Sequence, residues 1–452
     1  MVEPILIIIG ALVVVSLGAP FLGRRTSAYC APAAFALILA YALYALIAMH
    51  GLGRIKGMAP NDLSYVVLLV SLLAGVLTSF SINRLGRGSG IAVSLISSGT
   101  LANFVLSSTL NPFYIISAWG LLSVSSYGMA AIPKDRVSLG NSLKYAFMGG
   151  LSFQLLLLGF ILYYSFLGIT PGLPMVIGAA LLVAAVGFKI GIVPFHMWLP
   201  DVYGTSDPVA VSVLSSMMKL GPIVLLVNLF MAGAELLEPA QRNAMLAFLI
   251  ILSLITMTWG NVTAAVQKDV QRMLAYSSIS HVGFMLMAIT TIIASYIYSV
   301  SPYLAYLALF VYLFSYSISK AGAFSYMKAF SIRTYDAIKG AGRAYGDVSG
   351  MFSVSLLNLL GLPPLLGFWA KLFVFMAAAN PKITPFFLGQ VPWYTLVGII
   401  NSVISAFYYV RVLQSLYSTS QSSASFQGLR TTIIASSAIL ILGGILLPLI
   451  LL

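Results

Sequence analysis

The stretch AALLVAAVGFKIGIVPFHMWLPDVYG, residues 179–204, decides the fold. It opens as an apolar run of the kind that spans a bilayer. Lys189 lies inside that run, and Gly187, Gly191 and Pro194 crowd around it. Insertion scales put a lysine at the middle of a membrane helix at roughly 2.5–3.5 kcal/mol. Proline removes a backbone donor and clashes with the preceding turn. Unwound backbone at membrane depth is tolerated only where protein buries it or it lines a wet cavity. The stretch therefore predicts a membrane helix broken near its centre, with an amine held beside the break.

Composition extends this reading to the whole chain. Of 452 residues, 60% are hydrophobic and 7% charged, against about 25% charged in soluble domains. The fold class is an all-α polytopic membrane protein, because a barrel would show alternating ten-residue segments instead. A single cysteine, Cys30, excludes an intrachain disulfide or a thiolate cluster. His50, His196 and His281 are too scattered to suggest a metal site. No haem, iron–sulfur, nucleotide-loop or quinone motif is present, so no cofactor is expected on this chain. The net charge of +13 sits mostly in short loops. Membrane topology explains it better than nucleic acid, which is not an expected partner. The first apolar stretch follows Glu3 and precedes Arg24-Arg25, so it is expected to be a retained helix and not a signal peptide.

Hydropathy predicts fourteen spans, with cores at 5–22, 28–49, 64–82, 89–110, 112–132, 146–168, 173–198, 209–233, 243–266, 273–298, 302–327, 349–378, 391–418 and 431–452. The boundary between the fourth and fifth rests on Asn111-Pro112 alone. Loops after odd-numbered spans carry thirteen Lys and Arg, among them Arg24, Arg84, Lys134, Lys268 and Lys339; loops after even-numbered spans carry four, Arg54, Lys56, Arg242 and Lys382. The positive-inside rule then places both termini on the outer side of the cell (inner) membrane. A second break is expected at Gly361-Leu362-Pro363-Pro364, in the twelfth span. The two broken spans lie five apart and so cross in opposite directions, as inverted repeats do. The expected organisation is a single membrane domain: peripheral helices over 1–88, repeats of five helices over 89–233 and 241–420, and a C-terminal helix over 429–452.

Three lysines lie deep within spans: Lys189, Lys219 and Lys371. Intramembrane ionisable groups mark proton or ion pathways by default, so these three are the candidate proton carriers. The competing readings are snorkelling for Lys189, a bond to a broken-helix carbonyl for Lys219, and a position nearer one face for Lys371. Lys320, His281, Ser277 and His196 are auxiliary candidates. Histidine titrates near neutrality, yet His281 and its neighbouring serines equally suit backbone groups, and Lys320 equally suits a helix-packing pair. Arg411 suits a fixed counter-charge, since guanidinium stays protonated. Asp201 suits a role in shaping its loop.

Residues 188–203 (FKIGIVPFHMWLPDVY), 267–283 (QKDVQRMLAYSSISHVG), 361–371 (GLPPLLGFWAK) and 405–411 (SAFYYVR) resemble the antiporter-like membrane subunits of respiratory complex I, most of all the subunit N (subunit 2) group. The resemblance implies a proton-translocating, non-redox subunit in the membrane arm of a quinone-reducing complex. Its expected partners are the other membrane-arm subunits and the lipid bilayer, with no small-molecule substrate of its own. It also implies a mid-membrane polar axis through Lys189, Lys219 and Lys371. One departure stands out. The family places a glutamate on the fifth helix, and counting back from Lys144-Tyr145 lands on Gly120; no Asp or Glu lies between Asp62 and Asp135. Lys189 is therefore expected to be neutral for much of its cycle, or solvated by hydroxyls such as Ser123, Ser125 or Ser126. The alternatives are a structural subunit that pumps weakly, and a component of a cation/proton antiporter.

Overall fold

A computed structural model of the chain describes residues 3–49, 51–55, 57–165, 173–331, 333–419 and 425–451. His50, Lys56 and the end of the sixth expected span, 166–168, lie outside the described residues. Among the described residues the chain forms helices and no strands, and twelve helices are long and apolar enough to cross a membrane.

The first compact unit comprises Met1–Ile190 and Val209–Leu229. It holds α1 (Pro4–Gly18), α2 (Arg24–Ala48), α3 (Asp62–Ser79), α4 (Ser89–Ser108), α5 (Pro112–Ala131), α6 (Arg136–Ser165) and α7 (Leu173–Ile190). The chain then leaves it, and α8 (Trp198–Thr205) belongs to the second unit, Gly191–Pro208 and Phe230–Leu452. It returns for α9 (Pro208–Ser216) and most of α10 (Leu220–Leu236). The rest of the second unit is α11 (Pro239–Ala265), α12 (Val270–Ile297), α13 (Tyr303–Ala329), the short α14 (Tyr335–Ile338) and α15 (Ala341–Ala344), then α16 (Gly346–Leu360), α17 (Leu366–Ala378), α18 (Trp393–Leu416) and α19 (Arg430–Leu451).

Helix starts follow local chemistry. Pro112 opens α5 at a position where a missing N–H costs nothing, and the Asn111 side chain accepts from Phe113 N. The uncertain boundary between the fourth and fifth spans is thus a capped helix start. The sixth span begins at Arg136, not at 146. The Asp135 carboxylate accepts from the N–H groups of Val137 (3.0 Å) and Ser138 (2.9 Å) and from the Ser138 hydroxyl. That cap draws a polar, basic turn into the helix which a hydropathy window leaves out.

Both expected breaks are present. α7 stops at Ile190 and α16 at Leu360, and each is followed by a glycine at φ 91°, Gly191 and Gly361. A side chain is strained at that angle. In each break a proline follows three residues later, Pro194 and Pro364. A third interruption was not expected: residues 217–219 leave the helix between α9 and α10, and Lys219 lies in it.

In the second unit, α8 is tied to its neighbours by polar groups. Gln271 Nε2 donates to the carbonyls of Tyr203 (2.9 Å) and Ser206 (2.8 Å). Asp201 pairs with Arg272 at 3.3 Å, and Asp207 with Lys328 at 2.5 Å. Helices α11 and α12 pack with almost no gap, since a Cβ at Gly260 or Gly283 would strike the backbone of the other helix.

Asp135 gives a test of the sixth helix. The Ser138 hydroxyl and the helix N–H groups hold its carboxyl below the usual value of 3.8. Its capping contribution is therefore complete above that value and is lost as pH falls through and below it. Asp135→Ala is expected to lower stability by about 1 kcal/mol at neutral pH. Melting midpoints in detergent should show that difference at pH 7 and little difference near pH 3.

Candidate functional site

In the first unit, Lys189 lies in the last turn of α7 with 3% of its surface exposed. Its ammonium donates to Ser123 Oγ at 3.0 Å and sits 5.1 Å and 5.6 Å from the ring centres of Tyr127 and Tyr145. Ring faces of this kind attract a cation. Of the three hydroxyls expected to solvate Lys189, Ser123 does so; Ser125 and Ser126 turn back to the carbonyls of Leu121 and Leu122. Lys219 is also buried, in the interruption between α9 and α10. Asn103 of α4 reaches that interruption: its Nδ2 donates to Met217 O at 2.8 Å and its Oδ1 accepts from Gly221 N at 3.0 Å.

In the second unit, Lys371 of α17 is buried and donates to Leu360 O (2.7 Å), the last carbonyl of α16, and to Ser402 Oγ (2.9 Å) on α18. The break in this span is thus closed by the candidate carrier itself. Asn358 clamps the same break. Its Nδ2 donates to Ser315 and Ser319 of α13, both at 2.7 Å, and its Oδ1 accepts from Gly367 N at 2.7 Å. Lys320 is fully buried and donates to Leu274 O (2.8 Å) and Ser277 Oγ (2.6 Å) on α12. One turn on, His281 meets Tyr312 OH through Nδ1 (2.8 Å) and Tyr409 OH through Nε2 (3.2 Å). A cavity of about 10 Å³, lined by His281, Tyr312, Ser315, Tyr316, Asn358 and Lys371 among others, has room for about one water.

The structure thus brings Lys371 and His281 to one cavity, and Lys320 to Ser277. His196 is buried against Trp259, ring centres 6.0 Å apart, and no hydrogen bond described for Lys320, His281 or Lys371 reaches it. Among the described residues no group of three or more His, Cys, Asp or Glu is placed to hold a metal ion.

The family model for NADH:quinone oxidoreductase/Mrp antiporter, TM, matches residues 107–405. The chain belongs to this family. NADH-quinone oxidoreductase subunit N of Cupriavidus taiwanensis is 31% identical over 351 residues, 72% of this chain and 68% of that protein. NAD(P)H-quinone oxidoreductase subunit 2 of Gloeobacter violaceus is 30% identical over 422 residues, 86% of this chain and 78% of that protein. Among solved structures, a chain of respiratory complex I from Thermus thermophilus matches with a TM-score of 0.82 at 25% identity, over 98% of both chains. A chain of the Mrp complex from Dietzia sp. DQ12-45-1b shares the fold, with a TM-score of 0.80 at 18% identity, over 99% of this chain and 94% of that one.

On α5, Gly120 stands where the resemblance leads to an expected glutamate. Gly120 faces open space, with nothing within 4 Å of a built Cβ. Ser123, one turn further along α5, is the group that Lys189 touches. The sequence reading missed Asn103, Asn358, Ser402, Tyr312 and Tyr409. An amide inside an apolar span was the available signal for the two asparagines, because a buried amide needs partners. Asn358→Leu strands the Gly367 N–H and removes the donors to two buried hydroxyls. A stranded buried group costs about 1–3 kcal/mol, so this variant should melt measurably below the parent in detergent. Phe373→Leu, an apolar change on the same helix as Gly367, serves as the comparison.

Proposed function

We propose that this chain is the proton-translocating membrane-arm subunit of a complex I-like quinone oxidoreductase, with Lys189, Lys219 and Lys371 as carriers and Lys320, Ser277 and His281 as auxiliary groups. The observation that carries this reading is the state of the lysines. Each is buried inside a membrane helix or at its break, and the partners described for Lys189 and Lys371 are hydroxyls, a carbonyl and aromatic rings, not carboxylates. An amine so placed exchanges a proton with a neighbouring hydroxyl or water without breaking an ion pair. At an effective dielectric of 20, two like charges ~8 Å apart repel by about 2 kcal/mol. Within one unit, protonating one amine therefore discourages charge on a close neighbour, and occupancy passes between them.

The seventh and twelfth spans are each broken at a glycine at φ 91° followed by a proline three residues later, and each compact unit holds an asparagine reaching the backbone of a neighbouring span. This supports the repeats at 89–233 and 241–420. The proposed setting is the cell membrane, with both termini outside and the other membrane-arm subunits and lipid as partners. His196, buried against Trp259, is a further auxiliary candidate. A second reading, a structural subunit that pumps weakly, is favoured by one observation: residues 63–134 contain no carboxylate, and among the described residues the side-chain acceptor of Lys189 is Ser123.

The test uses the assembled complex in sealed vesicles, with quinone reduction and proton uptake read together. Lys219→Ala and Lys371→Ala should each lower the proton-to-electron ratio while the complex still assembles. An unchanged ratio in both sinks the carrier reading. Gly120→Glu, for which the structure has space, should raise the ratio if Lys189 is a working carrier short of a partner; no gain favours the structural subunit.

A further inference from the structure

The interruption that holds Lys219 is built by three residues. Regular bonding runs as far as Met217 N, which donates to Val213 O at 3.2 Å, and resumes where Ile223 N donates to Lys219 O at 3.1 Å. Between them Leu220 N makes a tighter, three-residue bond to Met217 O. Pro222 has no N–H to offer the carbonyl of Met218. The Gly221 N–H turns away from its own helix to Asn103 Oδ1, and the Asn103 Nδ2 takes up the Met217 carbonyl. One fully buried amide therefore satisfies a donor and an acceptor of the opened helix, and its orientation is set because each end meets the opposite kind of group. The contact is close: a Cβ at Gly221 would stand 2.6 Å from Asn103 Cα.

The second unit also holds a buried asparagine that donates to the backbone of another span. Asn261 on α11 donates to Asn401 O of α18 at 2.9 Å, and its Oδ1 accepts from Ser280 and Tyr408. In the expected repeat, α11 is the counterpart of α4 and α18 of the α9–α10 span. In both units, then, a buried amide on one span donates to a backbone carbonyl of another.

We infer that Asn103 is a positioning residue for Lys219: its amide holds the helix open at residues 217–221 and so fixes where the lysine amine sits. The inference rests on Lys219 being a proton carrier. Without the amide, the Gly221 N–H loses its partner and the Met217 carbonyl keeps only Leu220 N, so the segment must repack, carrying Lys219 with it.

The test is a double-variant cycle in the assembled complex, reading proton-to-electron ratio and assembly together. Asn103→Leu, similar in size and unable to bond, should assemble and lose pumping to the level of Lys219→Ala. The pair Asn103→Leu/Lys219→Ala should then be no worse than Lys219→Ala alone. A residue that only stabilises the fold would instead add its loss to that of Lys219→Ala, and that result overturns the inference. So does an unchanged ratio in Asn103→Leu. If Asn103→Leu fails to assemble, Asn103→Ser, which is smaller and polar, takes its place under the same criteria. If Lys219→Ala itself leaves the ratio unchanged, the carrier reading falls and this inference with it. A defective Lys219→Ala beside a neutral or additive Asn103 variant overturns the positioning role alone.

Discussion

Backbone carbonyls and N–H groups freed by a helix break at membrane depth cannot turn to lipid for a partner. That constraint orders much of what is polar inside this chain. At the break in the twelfth expected span, the Leu360 carbonyl takes the Lys371 ammonium and the Gly367 N–H takes Asn358. At the unexpected opening in the eighth, the Met217 carbonyl and the Gly221 N–H both go to Asn103. The Val193 N–H, beyond the break after α7, goes to Thr256 Oγ1 at 3.3 Å. Breaks and buried polar residues therefore depend on each other. Removing the polar partner leaves the break unsatisfied, and closing the break leaves a lysine or an amide without its acceptor.

The parts legible in the sequence were those with a local signature. Gly187-Phe188-Lys189 through Pro194 and Gly361 through Pro364 announced their breaks, because glycine and proline act on the turn they stand in. Lys189, Lys219 and Lys371 stood out because a charge in an apolar run is rare. The opening beside Lys219 had the same kind of signature in Gly221-Pro222, but the surrounding apolar run reads as one continuous span when averaged. What was illegible is non-local. Asn103 and Met217 are 114 residues apart, and Asn358 and Ser315 are 43. Nothing in a hydropathy profile says which carbonyl a buried amide will find. Tyr312 and Tyr409 were passed over for a related reason: aromatic residues are common throughout these spans, and only the fold selects the two that flank His281.

The fifth helix, which carries no acid in this chain, still supplies Lys189 with a site. Where the family pattern leads to Gly120, this chain offers Ser123 a turn later, with the rings of Tyr127 and Tyr145 beside it. A carboxylate would hold Lys189 by charge. A hydroxyl and two ring faces hold it by geometry, with little preference for one fixed charge state from the hydroxyl, which both donates and accepts.

Capping a helix and carrying a proton look like rival roles for Lys371, and the hydrogen-bond count reconciles them. An ammonium has three donors. A neutral amine keeps two of them and gains a lone pair. Lys371 has two acceptors in the fold, Leu360 O and Ser402 Oγ. Loss of one proton therefore need not break either bond, so the break stays closed in both charge states. The third N–H, or the lone pair that replaces it, takes part in neither bond, and Lys371 lines the small cavity shared with His281. Under the proposed function, the two structural bonds hold the amine still and proton exchange falls to the one remaining position.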